Sequence, residues 1–315
     1  MSSELRVIGA DELRARLSMA DAIDALEAGF RTQDPASGPL RTQVETSAGS
    51  LLLMPATGQG GVGVKLVTLT PSNPGRGAPF IHAAYVLFDA ETQAPEAVLD
   101  GGALTALRTA AVSGLATRYL ANEDARRLVI FGSGVQAKAH LGAMTAVRAI
   151  TDVTVVSRSP EPADRLAEEA TNRGLTASVG TADAVTEADL VCTCTTSDEP
   201  LFDGRRLRPG AHVNAVGSYQ PHARELDTET IRRARVVVET RAVALEEAGD
   251  LLIPIGEGAI GPEHVVADLA ELVRGRAVRI SPDDITVFES VGMAFEDLVV
   301  ARAIVDAAPP QLLER

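Results

Sequence analysis

The stretch Arg127-Leu128-Val129-Ile130-Phe131-Gly132-Ser133-Gly134-Val135-Gln136-Ala137 decides the fold of this 315-residue chain. Its first five residues read as a short buried strand, and Val135 opens a helical run, VQAKAHLGAMTAVRAI. Gly132 allows the tight turn between them, and Gly134 lets the backbone approach a phosphate. Ala137, standing in place of a third glycine, still permits close helix–strand packing. The helix start, with Ser133, Val135 and Gln136 around it, offers free N–H groups to a dinucleotide pyrophosphate.

The same alternation continues on the C-terminal side. VTVVS, TASV, DLVCTC, HVNAV and RVVVE read as further strands, separated by EPADRLAEEATNRG, TADAVTEA and RELDTETIRRA as helices. Continuous apolar strands between amphipathic helices predict an α/β fold, a doubly wound parallel Rossmann sheet covered on both faces. The flanks differ. Helical segments at ADELRARL and MADAIDALEAGFR precede strand-like SLLLMPA, VGVKLVTLT, AAYVLFDA and EAVLD, the last two joined by a hairpin turn at Glu91-Thr92-Gln93. A long helical stretch, ALTALRTAAVSGLATRYLA, leads into the sheet, and VGMAFEDLVVARAIVDAA forms a helix that returns from it. The expected organisation is a nucleotide-binding domain, 121–289, inserted into an α+β domain made of 1–120 and 290–315.

The choice of cofactor is written after the second strand of the unit. NAD-specific proteins place an acid there for the ribose 2′-hydroxyl, whereas this chain has Ser157-Arg158-Ser159. Arginine can pair with a 2′-phosphate and the serines can donate to it, so NADP(H) is expected.

Composition narrows the remaining classes. A net charge of −14 repels nucleic acid and anionic membranes. No apolar run approaches the length of a bilayer, and the charged start, MSSELRVIGADELRARL, is unlike a signal peptide, so a cytoplasmic location is expected. Cys192 and Cys194 are the chain's two cysteines, too few for a thiolate metal site, and they read as small buried hydrophobes. No metal is expected.

LLLMPA, GVGVKLVT, the LFDAET hairpin and above all LDGGALTALRTAAVSGLATRYLA closely resemble the ornithine cyclodeaminase/mu-crystallin family. FGSGVQAKAHL, VGSYQPHARELD and ESVGMAFEDLVVA extend the resemblance over essentially the whole chain. It implies a homodimer assembled through the non-Rossmann domain, an active site between domains, and redox chemistry on amino acids or their imines. By position it implies that Arg41 and Lys65 hold the substrate carboxylate and that Arg108 and Thr109 stand where cofactor and substrate meet. Thr195, Val216, Gly217 and Ser218 would line the nicotinamide side, and Ser290 would close the site there. Lys65 also draws attention unaided: a charge within the apolar strand GVKLV needs a partner, either an anionic substrate or an internal carboxylate.

One position departs from the family. Its cyclodeaminases and alanine dehydrogenases carry an aspartate two residues before the proline of the Gly217-Ser218-Tyr219-Gln220-Pro221 loop, and here that position is Tyr219. A neutral phenol cannot act as a carboxylate base near pH 7. Deamination and ammonia-dependent amination need such a base, whereas reduction of a preformed ketimine needs only an anchored carboxylate, a hydride and one proton. The expectation is therefore an NADPH-dependent reductase of a small cyclic imine such as Δ1-pyrroline-2-carboxylate or Δ1-piperideine-2-carboxylate, with proline or pipecolate as product. Lys65, Tyr219, His82 or solvent would supply the proton, with His82 approaching the substrate cavity or facing solvent. An L-amino-acid dehydrogenase, a cyclodeaminase and an NADPH-retaining binding protein remain the alternatives.

Overall fold

A computed structural model describes residues 5–33, 35 and 41–308. The chain divides into two compact units, Met1–Arg108 with Met293–Arg315, and Thr109–Gly292. The passages between them lie at 108/109 and 292/293, against the 120/121 and 289/290 read from the sequence.

The first unit is built on a six-stranded sheet. In chain order its elements are β1 (Arg6–Ile8), α1 (Ala10–Arg16), α2 (Met19–Thr32), β2 (Thr42–Thr46), β3 (Gly49–Gly58), β4 (Gly61–Leu69), β5 (Ile81–Phe88), β6 (Pro95–Asp100) and the first part of α3 (Gly101–Leu120). The final helix, α10 (Ala294–Asp306), returns to this unit. The strand order is β1-β6-β5-β4-β3-β2, antiparallel except for the β1–β6 pair. Ser18 starts α2 by accepting a hydrogen bond from the Asp21 N–H at 3.2 Å. The β5–β6 turn is held by Asp89, whose side chain accepts from the backbone N–H and the hydroxyl of Thr92, both at 2.7 Å.

Strand alternation gives this sheet two different faces. Leu52, Met54, Lys65, Val67, Tyr85 and Leu87 are buried. Against them lies α10, with Phe295 edge-on to Phe30 of α2 at 5.2 Å. The opposite face carries Leu51, Leu53, Val64, Leu66, Val86 and Val98, all only partly covered, and ends in exposed Val7 and Val44. This face is apolar and only partly covered.

The second unit runs through β7 (Arg127–Phe131), α4 (Val135–Val147), β8 (Asp152–Val156), α5 (Pro160–Asn172), β9 (Thr176–Val179), β10 (Leu190–Thr193), β11 (His212–Ala215) and α6 (Thr228–Arg233). It continues through β12 (Arg235–Val238), α7 (Arg241–Glu247), α8 (Gly249–Gly256), β13 (Val265–Asp268), α9 (Leu269–Val273) and β14 (Thr286–Glu289). All eight strands pair in parallel, in the order β13-β12-β14-β11-β10-β7-β8-β9. The six strands read from the sequence are present, and the structure adds β13 and β14, with β14 inserted between β11 and β12. TADAVTEA, expected as a helix, makes only a 3-10 turn at Ala182–Thr186. Strand order reverses between β7 and β10, and in open parallel sheets ligands bind outside the strand ends at such a reversal. No helix among the described residues is long and apolar enough to cross a membrane.

Candidate active site

At the reversal, the β7–α4 turn and the loops after β8 and β10 enclose a groove of about 560 Å3. Gly132, Ser133, Gly134, Ser157, Arg158, Ser159 and Thr195, all expected at a cofactor site, line it. Gly132 adopts φ 104°, and a Cβ there would lie 2.5 Å from the Cys194 carbonyl oxygen, so this turn tolerates only glycine. Gly134 caps α4 with no side-chain hydrogen bond, and a Cβ on it would meet nothing within 4 Å. The N–H groups of the first helical turn are thus open to an anion. Val135 is exposed at that turn, and Gln136 follows it half-buried. The Ser133 and Ser157 hydroxyls meet at 2.9 Å across the groove floor, while Arg158 stands exposed on its rim. These residues fit a dinucleotide, with pyrophosphate on α4 and adenosine ribose beside Ser157–Ser159.

The remaining cofactor-side residues sit at neighbouring strand ends. Val216, Gly217 and Ser218 follow β11, and Ser290 follows β14. The Ser218 hydroxyl donates to the Ala223 carbonyl at 2.5 Å, and that of Ser290 donates to Glu239 at 2.7 Å. Thr109 is buried in α3. Tyr219 packs its ring against the apolar core of this unit.

In the first unit, Lys65 and Arg108 come together around α10. Lys65 Nζ lies 2.8 Å from Asp297 Oδ2, Arg108 Nε lies 3.2 Å from Asp297 Oδ1, and Arg108 Nη1 lies 2.7 Å from Glu296 Oε2. All four side chains are buried, two cations against two anions. Of the two partners open to Lys65 from sequence, the internal carboxylate is present. Burial, with the Arg108 charge adding to it, lowers Lys65 to a pKa of about 8 despite the Asp297 carboxylate. Tyr85, register partner of Lys65, is fully buried; its hydroxyl has no hydrogen-bond partner among the described residues, and burial raises its pKa well above the usual phenol value. Arg41 stands half-buried directly before β2.

His82 requires a correction. It lies within β5 rather than before the strand AAYVLFDA, paired with Thr68 and three positions before Tyr85. An odd separation along a strand puts it on the open sheet face, opposite the one carrying Lys65. Of the two placements expected for it, the structure has the exposed one, away from Lys65.

A model of the ornithine cyclodeaminase/mu-crystallin family matches residues 5–310. The chain belongs to this family. It is 36% identical over 313 residues to a Delta(1)-pyrroline-2-carboxylate reductase of Bacillus cereus, covering 96% of each chain. Among solved structures it resembles the Delta(1)-pyrroline-2-carboxylate reductase of Thermococcus litoralis in complex with NADH and L-proline, at 36% identity, TM-score 0.91 and 96% coverage of both chains. An archaeal alanine dehydrogenase dimer with bound NAD also matches with TM-score 0.91, at 32% identity and the same coverage.

Several acids escaped the sequence reading. Glu296 and Asp297 lie in the first turn of α10, where acids are ordinary, so nothing local flagged them as counter-ions to cations far away in sequence. Glu225, Glu239, Asp250 and Glu289 are buried in the second unit. Two of them, Glu239 and Glu289, sit at the ends of apolar strand runs, RVVVE and TVFE, and that placement was the available signal. No group of these or other acids, histidines and cysteines among the described residues is arranged to hold a metal ion.

Proposed function

We propose that the protein is a homodimeric, cytoplasmic, NADPH-dependent ketimine reductase, converting a small cyclic imine carboxylate of the Δ1-pyrroline-2-carboxylate or Δ1-piperideine-2-carboxylate type to the L-amino acid. The observation that carries this reading is the buried pair Lys65 and Arg108 in a chain with Tyr219 at the family's acid position. The pyrroline-2-carboxylate reductase relatives support it.

A bound reduced nicotinamide supplies the hydride. Lys65 and Arg108, with Arg41, hold the substrate carboxylate. Because Asp297 and Glu296 already balance the two buried cations, a net-neutral iminium carboxylate enters at lower electrostatic cost than a bare anion. The iminium is also the form whose carbon accepts hydride most readily. With a pKa of about 8, Lys65 carries a proton at neutral pH and can give it to a substrate that arrives as the unprotonated imine, forming the iminium before hydride transfer. Tyr219, packed on the core, needs no role as a base.

The preference for NADPH rests on Arg158, exposed at the groove rim between Ser157 and Ser159, where it can meet a 2′-phosphate. The dimer reading rests on the open apolar face of the first unit's sheet, and the dimeric state of the archaeal alanine dehydrogenase supports it.

The test is cofactor oxidation with Δ1-pyrroline-2-carboxylate against pyruvate plus ammonium, each with NADPH and NADH. Oxidation with the imine, faster with NADPH at low cofactor concentration, is expected. Turnover only with pyruvate plus ammonium would overturn the ketimine reading in favour of an alanine-type dehydrogenase.

A further inference from the structure

We infer that Glu225 is a positioning residue whose buried carboxylate latches the loops after β10 and β11 into a fixed rim for the nicotinamide end of the cofactor. This deepens the cofactor reading proposed above and rests on it.

The latch is a single side chain with both oxygens engaged. Glu225 Oε1 accepts from the Thr195 backbone N–H at 2.7 Å and from the Thr195 hydroxyl at 2.6 Å. Its Oε2 accepts from the Gly217 N–H at 2.8 Å. Thr195 lines the dinucleotide groove on the β10 side, and Gly217 follows β11, the adjacent strand. The approach is close enough to dictate sequence, since a Cβ on Gly217 would lie 2.5 Å from the Glu225 carboxylate and 2.4 Å from the Thr195 carbonyl oxygen.

The backbone that carries this side chain is itself held. Asp250 Oδ1 accepts from the N–H groups of Glu225 and Leu226, at 3.0 and 2.6 Å, and the Leu201 N–H donates to the Glu225 carbonyl at 2.8 Å. Glu239 repeats the device one loop away: it accepts from the Ser290 hydroxyl at 2.7 Å and from the Gly292 N–H at 2.9 Å.

No ion pair compensates Glu225 among the described residues, and the neighbours that share its interior, Asp250 and Glu289, are also acids. A buried carboxylate without a cation is costly, and burial raises Glu225 above the usual carboxylate range while the Thr195 and Gly217 donors pull it back down. A core position would be served better by an apolar residue unless the donors it gathers must stay where they are. Those donors are the backbone of the two loops that meet the cofactor.

The test uses the full-length protein with Glu225→Gln, which keeps the shape but turns one acceptor into a donor facing an N–H, and with Glu225→Asp, which is too short to span both loops. A core truncation in the same unit, Val236→Ala, serves as a control for lost stability alone. Fluorescence titration with NADPH and NADH is expected to show roughly tenfold weaker binding in both Glu225 variants, with the imine KM within about twofold. Hydrogen exchange without cofactor is expected to speed up in peptides covering 194–197 and 216–219, and Val236→Ala should leave both readouts unmoved. Unchanged cofactor affinity and exchange in the Glu225 variants, beside a wild type that binds, would overturn the latch alone. A wild type that binds neither cofactor would overturn the dinucleotide reading and the latch together.

Discussion

Lys65 Nζ and Asp297 Oδ2 stand 2.8 Å apart in the buried interior of the first unit, joining a strand near the start of the chain to its last helix. The pair explains how a lysine survives in an apolar strand, and it sets the charge state of the group proposed to grip and protonate the imine. Replacing either partner alone leaves a buried charge unmatched, and such changes cost several kcal/mol on the order of 3–5.

The first prediction concerns pH. Lys65 is charged below its pKa of about 8 and neutral above it, so kcat/KM for the imine should fall as pH rises through about 8. Asp297→Asn removes a carboxylate that raises this pKa, and the falling limb should move to lower pH. A pH–rate profile with the limb in the same place for both proteins would remove Lys65 from the titrating role.

Lys65→Met should separate substrate binding from cofactor binding. Imine kcat/KM is expected to drop by about 100-fold, the scale for deleting one charge of a buried charged contact, with NADPH affinity unchanged. Steady-state kinetics and cofactor titration check both halves, and equal losses in the two would point to misfolding.

The two glycines of the turn should respond differently. Gly132→Ala forces a side chain at φ 104° and onto the Cys194 carbonyl, so both Tm and cofactor affinity should fall. Gly134→Ala meets no protein atom within 4 Å and should leave Tm nearly unchanged while weakening cofactor binding, because the methyl occupies space meant for phosphate. Thermal melts with and without NADPH distinguish the two, and identical behaviour would count against the groove assignment.

Arg158→Asp tests cofactor choice. The KM for NADPH should rise about tenfold or more, with little loss for NADH, because the new carboxylate repels the 2′-phosphate and can accept from a ribose hydroxyl. Equal losses for both cofactors would sink the 2′-phosphate assignment.

Asp250 offers a stability test. Burial pushes its pKa to about 7, above the unfolded value, so the folded state retains a proton that the unfolded chain releases and stability falls as pH rises from about 4 to about 7. Its Oδ2 has no hydrogen-bond partner among the described residues, so Asn loses nothing there and keeps Oδ1 as acceptor. Asp250→Asn should therefore be more stable than wild type by about 4 kcal/mol at pH 8, the linkage value for three pKa units, and close to equal near pH 4. Denaturant unfolding at the two pH values checks the sign, and a variant less stable at pH 8 would contradict it.

Much of the second unit was legible because its signals are local. A strand, a glycine turn and a helix succeed one another within eleven residues, and the apolar runs after it alternate with amphipathic helices. β13 and β14 were missed because only a 3-10 turn at Pro262–His264 and the five-residue α9 precede them, so no long amphipathic run marks the alternation there. TADAVTEA has a helical pattern too short to hold an α-helix without tertiary support, and it closes as a 3-10 turn.

By itself the sequence determined the dinucleotide turn, the alternation that builds a parallel sheet, and the presence of a charge in β4 that needed a partner. These are properties of neighbours along the chain, where backbone geometry and side-chain period act directly. The tertiary structure alone decided which partner Lys65 takes, which sheet face carries His82, and that Glu225 reaches two loops at once. Each of these joins residues far apart in sequence, and burial is what turns their proximity into chemistry: it removes the water that would otherwise screen the charge or satisfy the hydrogen bond.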